Sequence, residues 1–168
     1  SDSSCFEPIR REIARVALTN LIKDGRIHPA RIEESVEKAR EEVEEVIHRA
    51  GEQAVLDAGV HGLHIDLIKL IGRLNFRYSY GENILQHSVE VARVAGMLAA
   101  EIEADAEVAR AGGLLHDFGK ALTHEVEGTH IEIGDEIAQR YNLHPAIQAA
   151  VAEHHDTERG LSLIHISE

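Results

Sequence analysis

AGGLLHDFGKALTHEVEGTHIEIG, residues 111–134, is the stretch on which the reading of this chain turns. Ala111, Leu114 and Leu115 continue from Val108 at spacings of three, three and one, so the segment enters as a helix with one apolar face. His116 and Asp117 close that helix, and Gly119 follows as a turn signal. After the polar loop Thr123–Thr129, His130 stands where the next helical pattern begins. Neighbouring residues on a helix point about 100° apart. A His-Asp pair can therefore bring both side chains to one site only near a helix end or around a pocket, and this pair falls at such an end.

The same kind of placement recurs on both sides. His87 lies in LQHSVE, residues 85–90, inside a helical pattern, and His154-His155 ends the helix that opens at Pro145. Neutral imidazoles and carboxylates bind divalent transition metals, and one carboxylate can bridge two ions. Ligands at the ends of separate helices have their geometry fixed by the packed bundle around them. Taken singly these pieces are weak, since a lone His-Asp dipeptide is more often a surface pair or a satisfied core histidine. The ordered set is stronger: a helical His, then His-Asp-x-Gly-Lys, then Gly-x-His, then His-His. Twelve histidines in 168 residues agree with it.

Working outward, Pro8 to Lys23 predicts one amphipathic helix, with Ile9, Ile13, Val16, Ala17, Leu21 and Ile22 on its apolar stripe and Asp24-Gly25 as its stop. His28-Pro29 opens a second, long helix. Along it Ile32, Val36, Ala39, Val43, Val46 and Ala50 alternate at four and three, a short heptad seam. Such a seam either docks on the domain or forms a dimer contact, and its shortness favours docking. Further helices are predicted over about 65–74, 82–103, 106–117, 131–141 and 145–155, with glycines and Pro145 between them. No strand, repeat or low-complexity tract is expected. The fold class is all-α, a helical bundle preceded by a long amphipathic helix.

Composition sets bounds on this reading. Hydrophobic residues make up 43%, charged residues 28% and aromatics 4%, which favours helices over strands. No apolar run approaches the ~20 residues of a membrane span, and no signal segment opens the chain. A soluble, cytoplasmic chain is expected. The lone Cys5 cannot form an internal disulfide and reads as an incidental thiol. A net charge of −13 argues against broad nucleic-acid binding, because phosphate repels it.

The ordered motif set resembles the HD superfamily of metal-dependent phosphohydrolases, above all its two-metal members. Closer still is the resemblance to the ribonuclease Y family. It is carried by FEPIRREIARVALTNLIKDGRIHPARIEE, AGVHGLH, SYGENILQHSVEVA, the opening stretch itself and AVAEHHD, and it covers roughly residues 5–160. This implies an HD-domain-like bundle over 63–160, a connecting long helix over 28–62, and a remnant of an RNA-binding KH domain over 1–27. It further implies that His87, His116 and Asp117 hold one metal, and that His130, His154 and His155, with Asp117 bridging, hold a second. Lys120 matches the motif lysine, where a cation could neutralise charge on a phosphate, although a solvated surface lysine would look the same.

The implied activity is hydrolysis of phosphodiester bonds in single-stranded RNA, initiating mRNA decay, with 5′-phosphate and 3′-hydroxyl products. The implied cofactor is a divalent metal, manganese, magnesium or zinc, as one ion or two. Full-length family members are anchored at the cytoplasmic face of the cell membrane, and a homodimer is conceivable through the long helix. HD domains usually supply one more ligand, an aspartate on a later helix, which Asp156 does not replace. Residues 161–168, LSLIHISE, no longer resemble the family and read like translated adapter sequence, in which His165 has no role.

Two other readings compete. The same metal core serves an HD phosphohydrolase of nucleotides or cyclic dinucleotides, although the Gly-Tyr-Pro signature of one such group is missing after Gly119-Lys120. A catalytically inactive chain acting through protein contacts of its acidic helix is the third. Arg73, Phe76, Arg77, Tyr78 and Tyr80 mix bases with aromatics ahead of His87, as single-stranded RNA sites do, but aromatics at a helix corner are more often core. His61, His64 and His144 read as loop or cap residues. His124, Glu125 and Glu127, in the loop between ligands, could support the ligands from behind.

Overall fold

The computed structural model describes residues 8–25 and 28–155, so Cys5, Asp156 and the stretch 161–168 with His165 lie outside the described residues. Among the described residues seven α-helices run in order: α1 Pro8–Asp24, α2 Pro29–Ala58, α3 Ile65–Arg73, α4 Ile84–Glu101, α5 Ala106–Leu115, α6 His130–Arg140 and α7 Pro145–Glu153. Short 3-10 turns cover Leu74–Phe76 and Phe118–Ala121.

Local chemistry sets the helix starts. The Asn83 side chain accepts from the Gln86 N–H at 3.1 Å, and Asp105 accepts from Glu107 and Val108 at 3.0 and 3.2 Å. Thr129 accepts from Glu132 at 3.2 Å. Three histidines do the same work at the starts of α2, α3 and α7: Nδ1 of His28, His64 and His144 accepts from the backbone two residues on. Each satisfies a donor that the first helical turn would leave unpaired. The cap reading of His64 and His144 agrees with this, and His61 lies exposed in the loop before α3. At the far end of α2, Gly59 takes the left-handed conformation at φ 68°. Arg93 and Arg110 then donate to the freed carbonyls of Asp57 and Gly59, at 3.1 and 3.2 Å, and tie α2 to α4 and α5.

The core has two parts that share α2. Ile9, Ile13 and Ala17 of α1 pack against Ala39, Val43 and Ile47 of α2. The larger core joins the end of α2 to α3, α4, α5, α6 and α7, around the fully buried Leu67, Ile71, Leu74, Leu114, Leu115 and Phe118. Docking is thus what the long helix does within the chain. Its buried face follows the heptad seam through Ala39 and Val43, with Val36 and Ala50 partly buried, but departs from it elsewhere. Ile47, Gly51, Ala54 and Ala58 continue the face from Val43, while Ile32 and Val46 stand exposed. A straight helix repeats every 3.6 residues, and packing on α1 and α3 imposes no supercoil to hold a 3.5-residue seam.

The expectation of no strand needs correction. Tyr78–Ser79 pairs antiparallel with Glu82–Asn83, as strands β1 and β2 of a small hairpin. Tyr80 and Gly81 form its two-residue turn, both at positive φ, 52° and 78°. This is the backbone sense that closes a two-residue hairpin. The aromatics of this corner divide. Phe76 packs against the smaller core, whereas Tyr78 and Tyr80 are exposed, so the packing reading fails for them.

Candidate metal centre

Every motif position meets at one end of the bundle. His87 projects from the first turn of α4, His116 caps the C-terminus of α5, Asp117 begins the 3-10 turn that carries Lys120, His130 opens α6, and His154 and His155 follow α7. Their imidazoles form a connected series. Ring centroids are 5.9 Å apart for His87 and His116, 5.3 Å for His116 and His154, 5.4 Å for His130 and His154, and 5.0 Å for His130 and His155.

Asp117 lies at the focus and is buried. Its Oδ2 stands 3.2 Å from His116 Nε2 and 3.2 Å from Lys120 Nζ. Its Oδ1 stands 3.0 Å from His154 Nε2 and 3.6 Å from His130 Nε2, yet no donor meets it in hydrogen-bonding geometry. Burial pushes the Asp117 carboxyl up, but His116, His154 and Lys120 outweigh it and hold the group well below the usual carboxylate range. The group is a carboxylate at neutral pH.

Two backbone carbonyls decide what the rings present. Nδ1 of His116 lies 2.6 Å from Gly113 O, and Nδ1 of His154 lies 3.0 Å from Val151 O. A carbonyl only accepts, so Nδ1 of each ring carries a proton; Nε2 then donates to Asp117 when the ring is charged, and in the neutral ring offers a lone pair that a metal ion can take. Burial keeps His130 below the ordinary imidazole value against the pull of Asp117, helped by Lys120, His154 and His155. Burial and then His154 do the same for His155. Their Nε2 atoms converge too, His130 lying 3.3 Å from His154 and 3.0 Å from His155.

Lone pairs and a carboxylate gathered at such spacing repel unless a cation joins them. Ligand atoms about 2.0–2.2 Å from a common ion are themselves roughly 3–3.5 Å apart, the spacing seen here. Asp117, His130, His154 and His155 could therefore hold a metal ion.

The centre is placed by main chain as much as by side chains. A Cβ built on Gly119 would fall 1.9 Å from the His130 carbonyl oxygen, so the turn after Asp117 rests directly on the start of α6. Ala at 119 cannot be accommodated without separating Asp117 from His130.

Two carboxylates escaped the sequence reading. Glu82 and Glu90 flank His87 and form with it a second group that could hold a metal, more exposed than the first. Glu82 comes from the hairpin. Glu90, three residues after His87 on a helix, carried a usable signal. Beside them opens a cleft of about 230 Å³, lined by Ser79, Tyr80, Glu82, Ile84, His87, Asp117 and Lys120. The loop residues suggested as supports are otherwise engaged or exposed: Glu125 pairs with Arg73, and His124 and Glu127 face solvent.

The family described as HD domain matches residues 84–165. Ribonuclease Y of Bacillus subtilis (strain 168) is 57% identical over 163 residues, 97% of this chain and 31% of that protein. Ribonuclease Y of Geobacillus kaustophilus (strain HTA426) is 62% identical over 156 residues, 92% of this chain and 30% of that protein. Ribonuclease Y of Bacillus pumilus (strain SAFR-032) is 56% identical over 163 residues, with coverages of 97% and 31%. The chain thus spans under a third of the length of these curated relatives. No solved structure matches. No helix among the described residues is long and apolar enough to cross a membrane. With an HD domain whose histidines and aspartate gather at one centre, and this identity along almost all of its length, the chain belongs to the ribonuclease Y family.

Proposed function

We propose that this chain carries the hydrolytic centre of a metal-dependent endoribonuclease that cuts single-stranded RNA and so initiates mRNA decay. The observation that carries the reading is the buried Oδ1 of Asp117, which has no donor and is faced by imidazole Nε2 atoms. His130, His154 and His155 with Asp117 are the ligands of one ion. His116 and His87, with Asp117 shared, lie where a second would sit.

A divalent ion there supplies an acidified water and a Lewis acid for the phosphoryl oxygens. Asp117 stays ionised and fixes the spacing of the two ligand groups. The carbonyls of Gly113 and Val151 orient the rings of His116 and His154. Lys120, on the wall of the cleft, sets a positive charge where negative charge grows on the phosphate. The imidazole-rich set favours manganese or zinc over magnesium.

RNA as substrate rests on the relatives' name, and the net charge of −13 opposes broad contact with its backbone. The domain reading accompanies this: residues 63–160 as the HD domain, 28–62 as the connecting helix, 1–27 as the end of a KH domain. So does a place at the cytoplasmic face of the membrane for the whole protein, with the exposed side of α2 as a dimer contact.

The test is cleavage of a 5′-labelled single-stranded RNA with manganese, beside Asp117→Ala and beside a cyclic dinucleotide. Cleavage of RNA that vanishes in Asp117→Ala, with 5′-phosphate on the new fragment, is the expected result. Turnover of the cyclic dinucleotide alone would overturn the ribonuclease reading.

A further inference from the structure

The residue at the tip of the β1–β2 hairpin is an unusual choice for its position. Two-residue turns at positive φ favour Asn, Asp or Gly, whose short side chains tolerate the left-handed region. A bulky side chain there is a backbone outlier that must be compensated. Tyr80 sits at φ 52° and is fully exposed, so its ring gains no burial to offset that cost. The ring nevertheless has a definite neighbourhood, lining the same cleft as His87, Asp117 and Lys120.

We propose that Tyr80 is a stacking platform for one unpaired base of the RNA, on whose ring that base lies while the adjoining phosphate occupies the cleft beside Asp117 and Lys120. The proposal rests on the ribonuclease reading above and names the part of the substrate that the hairpin holds. An exposed aromatic beside a phosphate site is the pairing by which single strands are held without base-specific hydrogen bonds, because every base has a π face. It also answers the charge of the chain. Stacking needs no basic surface, so a strand can be gripped at a protein of net charge −13 with few cations in contact. A duplex cannot offer a splayed base, so the platform selects for unpaired RNA.

The test uses the full chain loaded with zinc and a hydrolysis-resistant phosphorothioate RNA decamer, carrying 2-aminopurine at one position in each of a series. Wild type, Tyr80→Phe and Tyr80→Asn are compared, the last being the residue that the turn itself prefers, so the hairpin is retained. Stacking quenches the probe at one position in wild type and Tyr80→Phe. In Tyr80→Asn the quench disappears and binding weakens about ten-fold. Equal affinity and equal quench in Tyr80→Asn, or no quenched position in a wild type that binds, overturns the platform and leaves the ribonuclease reading in place. A wild type that binds no RNA but turns over a cyclic dinucleotide overturns both.

Discussion

Asp117 Oδ1 and His154 Nε2 face each other across 3.0 Å while the proton of that imidazole is held on the far side of the ring by the Val151 carbonyl. In the neutral ring a lone pair meets a carboxylate, and His130 and His155 add two more nitrogens to the same point. The arrangement gains stability from a cation and loses it without one.

Metal should therefore stabilise the fold. A ligand that binds only the native state at about 100 times its Kd adds about 2.7 kcal/mol. For a chain of this length that raises Tm by about 5–10 °C. Manganese or zinc in scanning calorimetry should produce this rise in wild type and little of it in His154→Ala. A rise of the same size in both would mean that the ion binds elsewhere.

Acid should weaken the metal-free chain. His130 and His155 titrate below the ordinary imidazole value in the folded state. Between that lowered value and about 6.5, the unfolded chain binds more protons than the native one, so stability rises with pH through this window and is lost as pH falls. The urea midpoint of EDTA-treated protein should drop between pH 7.5 and 5.5. A midpoint that climbs on acidification would show these rings gaining, not losing, protonated partners on folding.

Lys120 should matter to turnover more than to metal uptake. Its Nζ lies 3.2 Å from Asp117 Oδ2 on the wall of the cleft. Lys120→Gln should lower kcat for RNA cleavage by about 10²-fold with metal stoichiometry intact, the usual size for removing one group that stabilises developing charge. Loss of metal in parallel would reassign the lysine to holding Asp117 in place.

Much of this centre can be traced in the residues themselves, for identifiable reasons. His116-Asp117, His130 and His154-His155 sit at helix ends marked by apolar spacing, loop residues and Pro145, and those signals are local. The face of α2 was harder. Val46 and Ile47 are both apolar and adjacent, and only the positions of α1 and α3 decide which one is buried. The hairpin escaped because its strands are two residues each, too short for alternation to register, and its turn carries tyrosine where asparagine would have been the signal. Glu82 joins His87 only through that hairpin, so it was lost with it.

Gly119→Ala should damage both fold and metal site. The added methyl meets the His130 carbonyl, a backbone atom that cannot rotate aside. A loss of about 1–3 kcal/mol is expected, as for other overpacked positions, together with metal binding weakened at least ten-fold. Gly112→Ala is the control, since its methyl would lie 3.5 Å from Ala150 Cβ, an ordinary contact. It should be neutral or gain up to about 1 kcal/mol from helix propensity. Equal metal affinity in both variants, by isothermal titration calorimetry, would remove Gly119 from the account.

That contact between Gly119 and the His130 carbonyl also governs how the centre can change. Asp117 and His130 are carried by two main chains in direct touch, and the His154 ring is held by the Val151 carbonyl, so their spacing resists a larger or smaller ion. Among the four residues that could hold an ion, only His155 is exposed. Adaptation to a different ionic radius is least constrained at that one ring, which makes residue 155 the place to alter metal preference without rebuilding the fold.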